Sequence, residues 1–173
     1  MKPQNYRVQI YVDSGFLIKI TADNNNLILD YVAMLESVAK SVNMGNYDAV
    51  YWYTGASEYE SFFNRHIKPK IKNNFFFRAG RFQNTENNIK EKGVDILIAI
   101  DIVKNMILNK PDWIIFISSD SDFEPLLQFV KDSEVKIKLI TWDKQRAPIL
   151  EALADHIYII DNKNIYNWEK EQC

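Results

Sequence analysis

Cysteine is almost missing from this 173-residue chain, and the single one, Cys173, is its last residue. That count excludes a disulfide framework and a cysteine-rich zinc site. Histidine is nearly as scarce. With only His66 and His156, a histidine-built metal centre and a Ser-His-Asp triad both lack members. His156, at the start of a strand-like run, reads as structural. No apolar run approaches the roughly 20 residues that cross a bilayer, and the opening Met1-Lys2-Pro3-Gln4-Asn5-Tyr6-Arg7 has no signal-peptide core. The expected location is cytoplasmic, with no membrane partner. Any catalysis would have to rely on carboxylates.

What is present is the composition of an ordinary globular protein, 47% hydrophobic and 25% charged. The length predicts a single domain over 1–173 with a substantial core. The net charge of −2 hides an asymmetry. Between Arg65 and Lys92 stand eight basic residues (among them Arg78, Arg81, Lys90 and Lys92) against Glu86 and Glu91, so this segment carries +6 and the remainder −8. A local basic stretch can attract a polyanion without global basicity; the plainer alternative is a solvated lysine-rich surface.

Strand-like and helix-like segments alternate along the chain. Arg7 to Val12 reads as a strand ending at Asp13, with Ser14-Gly15 as turn residues after it. Leu27, Tyr31, Met34, Leu35, Val38 and Val42 are spaced for a helix that stops near Gly45. Strands are expected over 48–53 and 75–78, with a short helix over 58–67 between them. The asparagine-rich stretch 83–88 predicts a loop. A helix over 93–108, a strand from Trp113, a helix over 124–131, a strand over 135–141, a short helix over 148–154 and a strand over 157–160 complete the series. Such alternation predicts a mostly parallel sheet covered on both faces. Tyr51, Trp52 and Tyr53 alternate along their strand and are assigned to core packing ahead of base stacking. Phe75, Phe76 and Phe77 read as structural too.

The chemistry-bearing stretch is Ile114-Ile115-Phe116-Ile117-Ser118-Ser119-Asp120-Ser121-Asp122-Phe123. An apolar strand ends abruptly in two aspartates, at the place where open α/β sheets bind ligands. Carboxylate oxygens there suit Mg²⁺ or Mn²⁺; the plainer alternative is that Ser121 or Asp122 caps the following helix. Two further aspartates offer the partners an ion needs. Asp13 ends the first strand, and Asp95 begins a helix, where the dipole favours a carboxylate. Asp101 lies six residues beyond Asp95, about 120° away around the helix, and is expected to face elsewhere.

Lys92-Gly93-Val94-Asp95-Ile96-Leu97-Ile98-Ala99-Ile100-Asp101 and Ser118-Ser119-Asp120-Ser121-Asp122-Phe123-Glu124-Pro125-Leu126 resemble the two central motifs of NYN domains, members of the PIN-like nuclease superfamily. Leu150 to Tyr158 resembles that family's last helix and strand, so the resemblance spans roughly Arg7 to Asp161. Two positions depart from the pattern. Where the family usually has Gly-x-Asn after its first aspartate, this chain has Ser14-Gly15-Phe16, closer to the Asp-Ser/Thr-x-x-Leu opening of broader PIN domains. Ser119 stands where a glycine is usual.

The resemblance implies a PIN-like three-layer α/β/α sandwich with a mostly parallel central sheet, and a metal-dependent ribonuclease. Asp13, Asp95, Asp120 and Asp122 are then the expected catalytic and metal-binding residues, with Mg²⁺ or Mn²⁺ as cofactor and RNA as partner. Lys92, Arg78, Arg81 and Ser119 are candidate substrate contacts. A small nuclease often completes its groove by dimerising, which makes a homodimer one expected state. The alternative is a non-catalytic RNA- or protein-binding module on the same fold. A phosphatase built on Asp120 and Asp122 would need a matching nucleophile and lysine motif that the chain does not offer.

Overall fold

The structure is a computed structural model describing residues 6–24, 27–40, 47–55, 60–71, 74–85 and 88–168. Six strands form one sheet: β1 (Val8–Asp13), β2 (Ala49–Thr54), β3 (Asn74–Ala79), β6 (Trp113–Ile117), β7 (Lys136–Trp142) and β8 (His156–Ile160). Their order is β3-β2-β1-β6-β7-β8, and every pairing is parallel. Between β3 and β6 a separate antiparallel hairpin, β4 (Arg81–Thr85) and β5 (Asn88–Lys92), interrupts the alternation.

A parallel sheet is covered on both faces, so its central strands are apolar on both sides. Ile114 to Ile117 are all fully buried, and their side chains alternate between two cores. One core joins Ile10, Val12, Trp52, Ile115 and Ile117 to helices α1 (Ser14–Asp23) and α2 (Tyr31–Lys40). The short helix α3 (Glu60–Phe62) runs into a π-turn at Phe63–Ile67, and Phe63 and Ile67 pack into the same core. The other joins Tyr11, Tyr51, Tyr53 and Phe116 to α4 (Val94–Leu108), α5 (Glu124–Asp132) and the region of α6 (Pro148–Glu151). The architecture is the expected three-layer sandwich. Trp52 therefore faces one layer while Tyr51 and Tyr53 face the other, and all three are core residues. No helix among the described residues is long and apolar enough to cross a membrane.

Three local expectations differ from what is observed. Ser14 and Gly15 are not a turn; they open α1, because Asp13 caps it by accepting from the backbone N–H groups of Gly15 (3.1 Å) and Phe16 (3.5 Å). Helix α2 starts at Tyr31, four residues later than its apolar spacing suggested, because Asp30 Oδ1 accepts from the N–H groups of Val32 and Ala33, both at 3.0 Å, and fixes the start there. The ends of the expected helices at 41–46 and 58–59 lie outside the described residues. Of the predicted loop at 83–88, residues 83–85 lie in β4 and Asn88 opens β5, while 86–87 lie outside the described residues. Asparagine is a poor strand former, yet pairing of the two arms overrides that preference, and the base of the hairpin closes tightly. A Cβ at Gly80 would stand 2.7 Å from the carbonyl oxygen of Lys92 and 2.9 Å from Val94 Cγ2.

Candidate active site

From β1 the chain builds the sheet outward through β2 and β3; from β6 it builds the opposite side through β7 and β8. The β1–β6 pair is thus the switch point, where diverging connections leave a crevice at the C-terminal strand ends. The sequence places Asp13 at one of these ends and Ser118-Ser119-Asp120 at the other.

A hydroxyl ties the two ends together. Ser118 Oγ donates to Asp13 Oδ2 at 2.9 Å and accepts from the Asp120 N–H at 3.2 Å. Asp120 Oδ1 in turn accepts from the Asp122 N–H at 2.9 Å, capping the single turn Ser121–Phe123. Phe123 anchors that turn by packing edge-on against Phe116, with ring centroids 5.0 Å apart. Both Asp13 and Asp120 therefore cap helical turns, and capping leaves part of each carboxylate facing the crevice.

Asp95 arrives from a third direction, in the first turn of α4. That helix begins at Gly93, whose φ of 81° lies in the left-handed region that glycine tolerates. The Asp95 carboxyl is pushed above the usual aspartate range by partial loss of hydration and then by the negative charges of Asp120 and Asp122. Asp13, Asp95, Ser118, Ser119 and Asp120 wall one cleft of about 310 Å³. Asp122 is solvent-exposed and stands outside its wall.

The expected four-carboxylate shell is only partly assembled. Among the described residues, no three His, Cys, Asp or Glu side chains converge closely enough to hold one ion together. The capping bonds of Asp13 and Asp120 explain this, since each carboxylate is oriented first by its own turn. The donor set nevertheless fits a hard cation. It consists of carboxylate and hydroxyl oxygens, and Mg²⁺ characteristically keeps several waters and takes only one or two protein carboxylates.

The candidate substrate contacts fall in three places. Ser119 lines the cleft, but its hydroxyl is shared with Thr141 Oγ1 at 2.7 Å and accepts from the Trp142 N–H at 3.3 Å, stitching β6 to β7. Arg81 and Lys92 are exposed and paired in register at the base of the hairpin. Arg78 is engaged elsewhere: its Nε donates to Asp101 Oδ2 at 3.0 Å, and Asp101 also accepts from the Tyr53 hydroxyl at 3.1 Å. Burial, with Asp101 alongside, pushes the Tyr53 hydroxyl well up, so it stays a donor. Asp101 does face away from the cleft. Lys72 and the side chain of Lys90 lie outside the described residues.

Two lining residues escaped the sequence reading. Lys19 reaches the cleft from α1, and its Nζ donates to Gln145 Oε1 at 2.7 Å. Lys19 follows Asp13 by six residues, a spacing that acquires meaning only once α1 is known to start at Ser14.

The NYN domain family model matches residues 7–161. The chain belongs to the NYN domain family. NYN domains are generally PIN-like nuclease domains, and the acidic cleft of this one lies at the switch point of its sheet. A crystal structure of a protein of unknown function from Vibrio parahaemolyticus has the same fold, with a TM-score of 0.70 over 94% of this chain and 97% of the other, at 17% identity. No curated protein matches the sequence.

Proposed function

We propose that this NYN domain is a metal-dependent ribonuclease that hydrolyses RNA phosphodiester bonds. One observation carries the reading: Asp13, Asp95 and Asp120, from three separate elements, wall a single cleft at the switch point of the sheet. Asp13, Asp95, Asp120 and Asp122 would hold Mg²⁺ or Mn²⁺. Such an ion lowers the pKa of a water and neutralises charge on a scissile phosphate. A bare carboxylate cluster would instead repel the phosphodiester.

The chain's own residues do the positioning. Ser118 holds the β1 and β6 ends in one register through its two hydrogen bonds. Lys19 places an ammonium on the cleft wall, bound to a neutral amide that a phosphate oxygen can replace. Arg81 and Lys92, at the base of the hairpin beside Gly93 and Asp95, extend a cationic path for the strand.

The second reading, a non-catalytic RNA- or protein-binding module, rests on the altered motif after Asp13, Ser14-Gly15-Phe16. Purified protein incubated with single-stranded RNA and Mn²⁺ separates the two. Cleavage that EDTA stops and Asp120→Asn removes is the expected result. RNA binding that needs no metal and survives Asp120→Asn, with no cleavage on varied substrates, would overturn the ribonuclease reading.

A further inference from the structure

A second cavity lies on the opposite side of α1 from the acidic cleft. The first turns of α1 divide the two, with Gly15, Phe16 and Lys19 lining the cleft and Ser14, Leu17 and Ile18 lining the cavity. The cavity measures about 480 Å³, within the range of small-ligand sites. Its remaining walls are largely aromatic. Trp52 meets Tyr31 edge-on at 4.8 Å between ring centroids and meets Phe63 at 4.8 Å with a 40° tilt.

Its polar atoms are more telling. Buried hydroxyls and indole N–H groups nearly always find a hydrogen-bond partner. Among the described residues three buried side-chain polar atoms have none, namely Ser14 Oγ, Trp52 Nε1 and Trp142 Nε1. Two of the three belong to the wall of this cavity. Ser14 is 4% exposed and Trp52 1%. An indole N–H donates only, so what completes it must bring an acceptor.

We propose that this cavity is a nucleobase subsite. It takes one splayed-out base carrying a carbonyl oxygen, from an RNA strand whose backbone lies in the acidic cleft. The inference rests on the RNA reading of that cleft. Its occupant follows from the walls: single-stranded RNA is recognised by stacking unpaired bases on aromatic rings and hydrogen-bonding their edges. The donors of Ser14 and Trp52 call for two acceptors, which the two carbonyl oxygens of uracil supply, whereas adenine sets its N6 amino donor beside its ring-nitrogen acceptors. Ser14 directly follows Asp13, so the subsite and the cleft share one turn of α1 and one strand can reach both.

Equilibrium binding of fluorescently labelled oligouridylate and oligoadenylate, measured by anisotropy in EDTA, tests this without any cleavage. Oligouridylate should bind about tenfold more tightly or better, the value of one good hydrogen bond in a buried site. Trp52→Phe, which keeps a ring and deletes the N–H, should remove the preference. Ile18→Trp, at a half-exposed position on the cavity wall, should remove it by filling the site without disturbing the core. Equal binding of the two polymers, binding of neither, or a preference that survives both variants overturns the subsite. Metal-dependent cleavage without base preference would sink the subsite alone, and base preference without cleavage would sink the ribonuclease reading alone.

Discussion

The parallel sheet carries aspartates at both of its ends, and the two sets behave oppositely. At the N-terminal end Asp48, Asp112 and Asp155 each sit just before a strand and accept from a backbone N–H: that of Val8 at 2.6 Å, Arg7 at 2.7 Å and Ile137 at 2.9 Å. At the C-terminal end Asp13 closes β1 and Asp120 follows β6, and the backbone N–H groups they accept belong to helical turns, with the Ser118 hydroxyl donating to Asp13 as well. Parallel strands begin with unpaired donors and finish with unpaired carbonyls. A carboxylate therefore completes the first end and remains in surplus at the second. The titration behaviour follows. Burial works to raise the Asp155 carboxyl, but Lys136 and the Ile137 N–H outweigh it and hold it below its ordinary value. Asp95, partly stripped of water and then set beside Asp120 and Asp122, is pushed above it. The same residue type is mortar at one end and stored charge at the other.

The sharpest way to break this contrast is to neutralise one member at each end. Asp13→Asn keeps an oxygen that can cap α1 and deletes the charge. Mn²⁺-dependent RNA cleavage should fall by more than about 100-fold, with the thermal midpoint close to that of the unaltered protein. Asp112→Asn should leave cleavage intact, and an equal loss there would erase the distinction. The next largest effect is structural. Asp48→Ala strips the fully buried Val8 N–H of its acceptor and should cost about 1–3 kcal/mol in urea unfolding. Cleavage per folded molecule should not change, and Asp48→Asn should restore most of the stability.

The smallest effect has opposite signs at the two ends. Because the folded-state value of Asp95 lies above the ordinary 3.8, the fold binds the proton longer than the unfolded chain does. Stability thus falls as pH rises through that window, and the penalty is complete above it. The depressed Asp155 contributes stability above its ordinary value and loses it as pH falls through its folded one. In thermal melts at neutral pH without divalent metal, Asp95→Asn should raise the midpoint slightly and Asp155→Asn should lower it. Shifts of the same sign would show that the ends are electrostatically alike.

Much of this was legible in the residues themselves. The strand before Asp13 and the strand before Asp120 were recognisable by their apolar runs, and they pair as neighbours. Asp101 was separable from Asp95 by helical geometry alone. The misses share a cause: hydrogen-bond partners that sequence pattern cannot rank. Ser14 and Gly15 look like turn residues until a capping carboxylate precedes them. Arg78 looked free because its partner, Asp101, lies in another element and meets it only across the folded sheet. Ser119 looked like a substrate contact because its bond to Thr141 depends on how β6 and β7 lie side by side. Lys19 was hidden because its helix was.

The hydrogen bond from Ser118 to Asp13 spans 105 residues of chain. Contacts of such sequence separation form late, since a long loop must close before they can. A nascent or truncated polypeptide that ends before β6 can cap α1 and pair β1 with β2, yet it owns only half of the crevice. The acidic cleft is consequently a certificate of folding past the midpoint of the chain, withheld from every polypeptide that stops before β6.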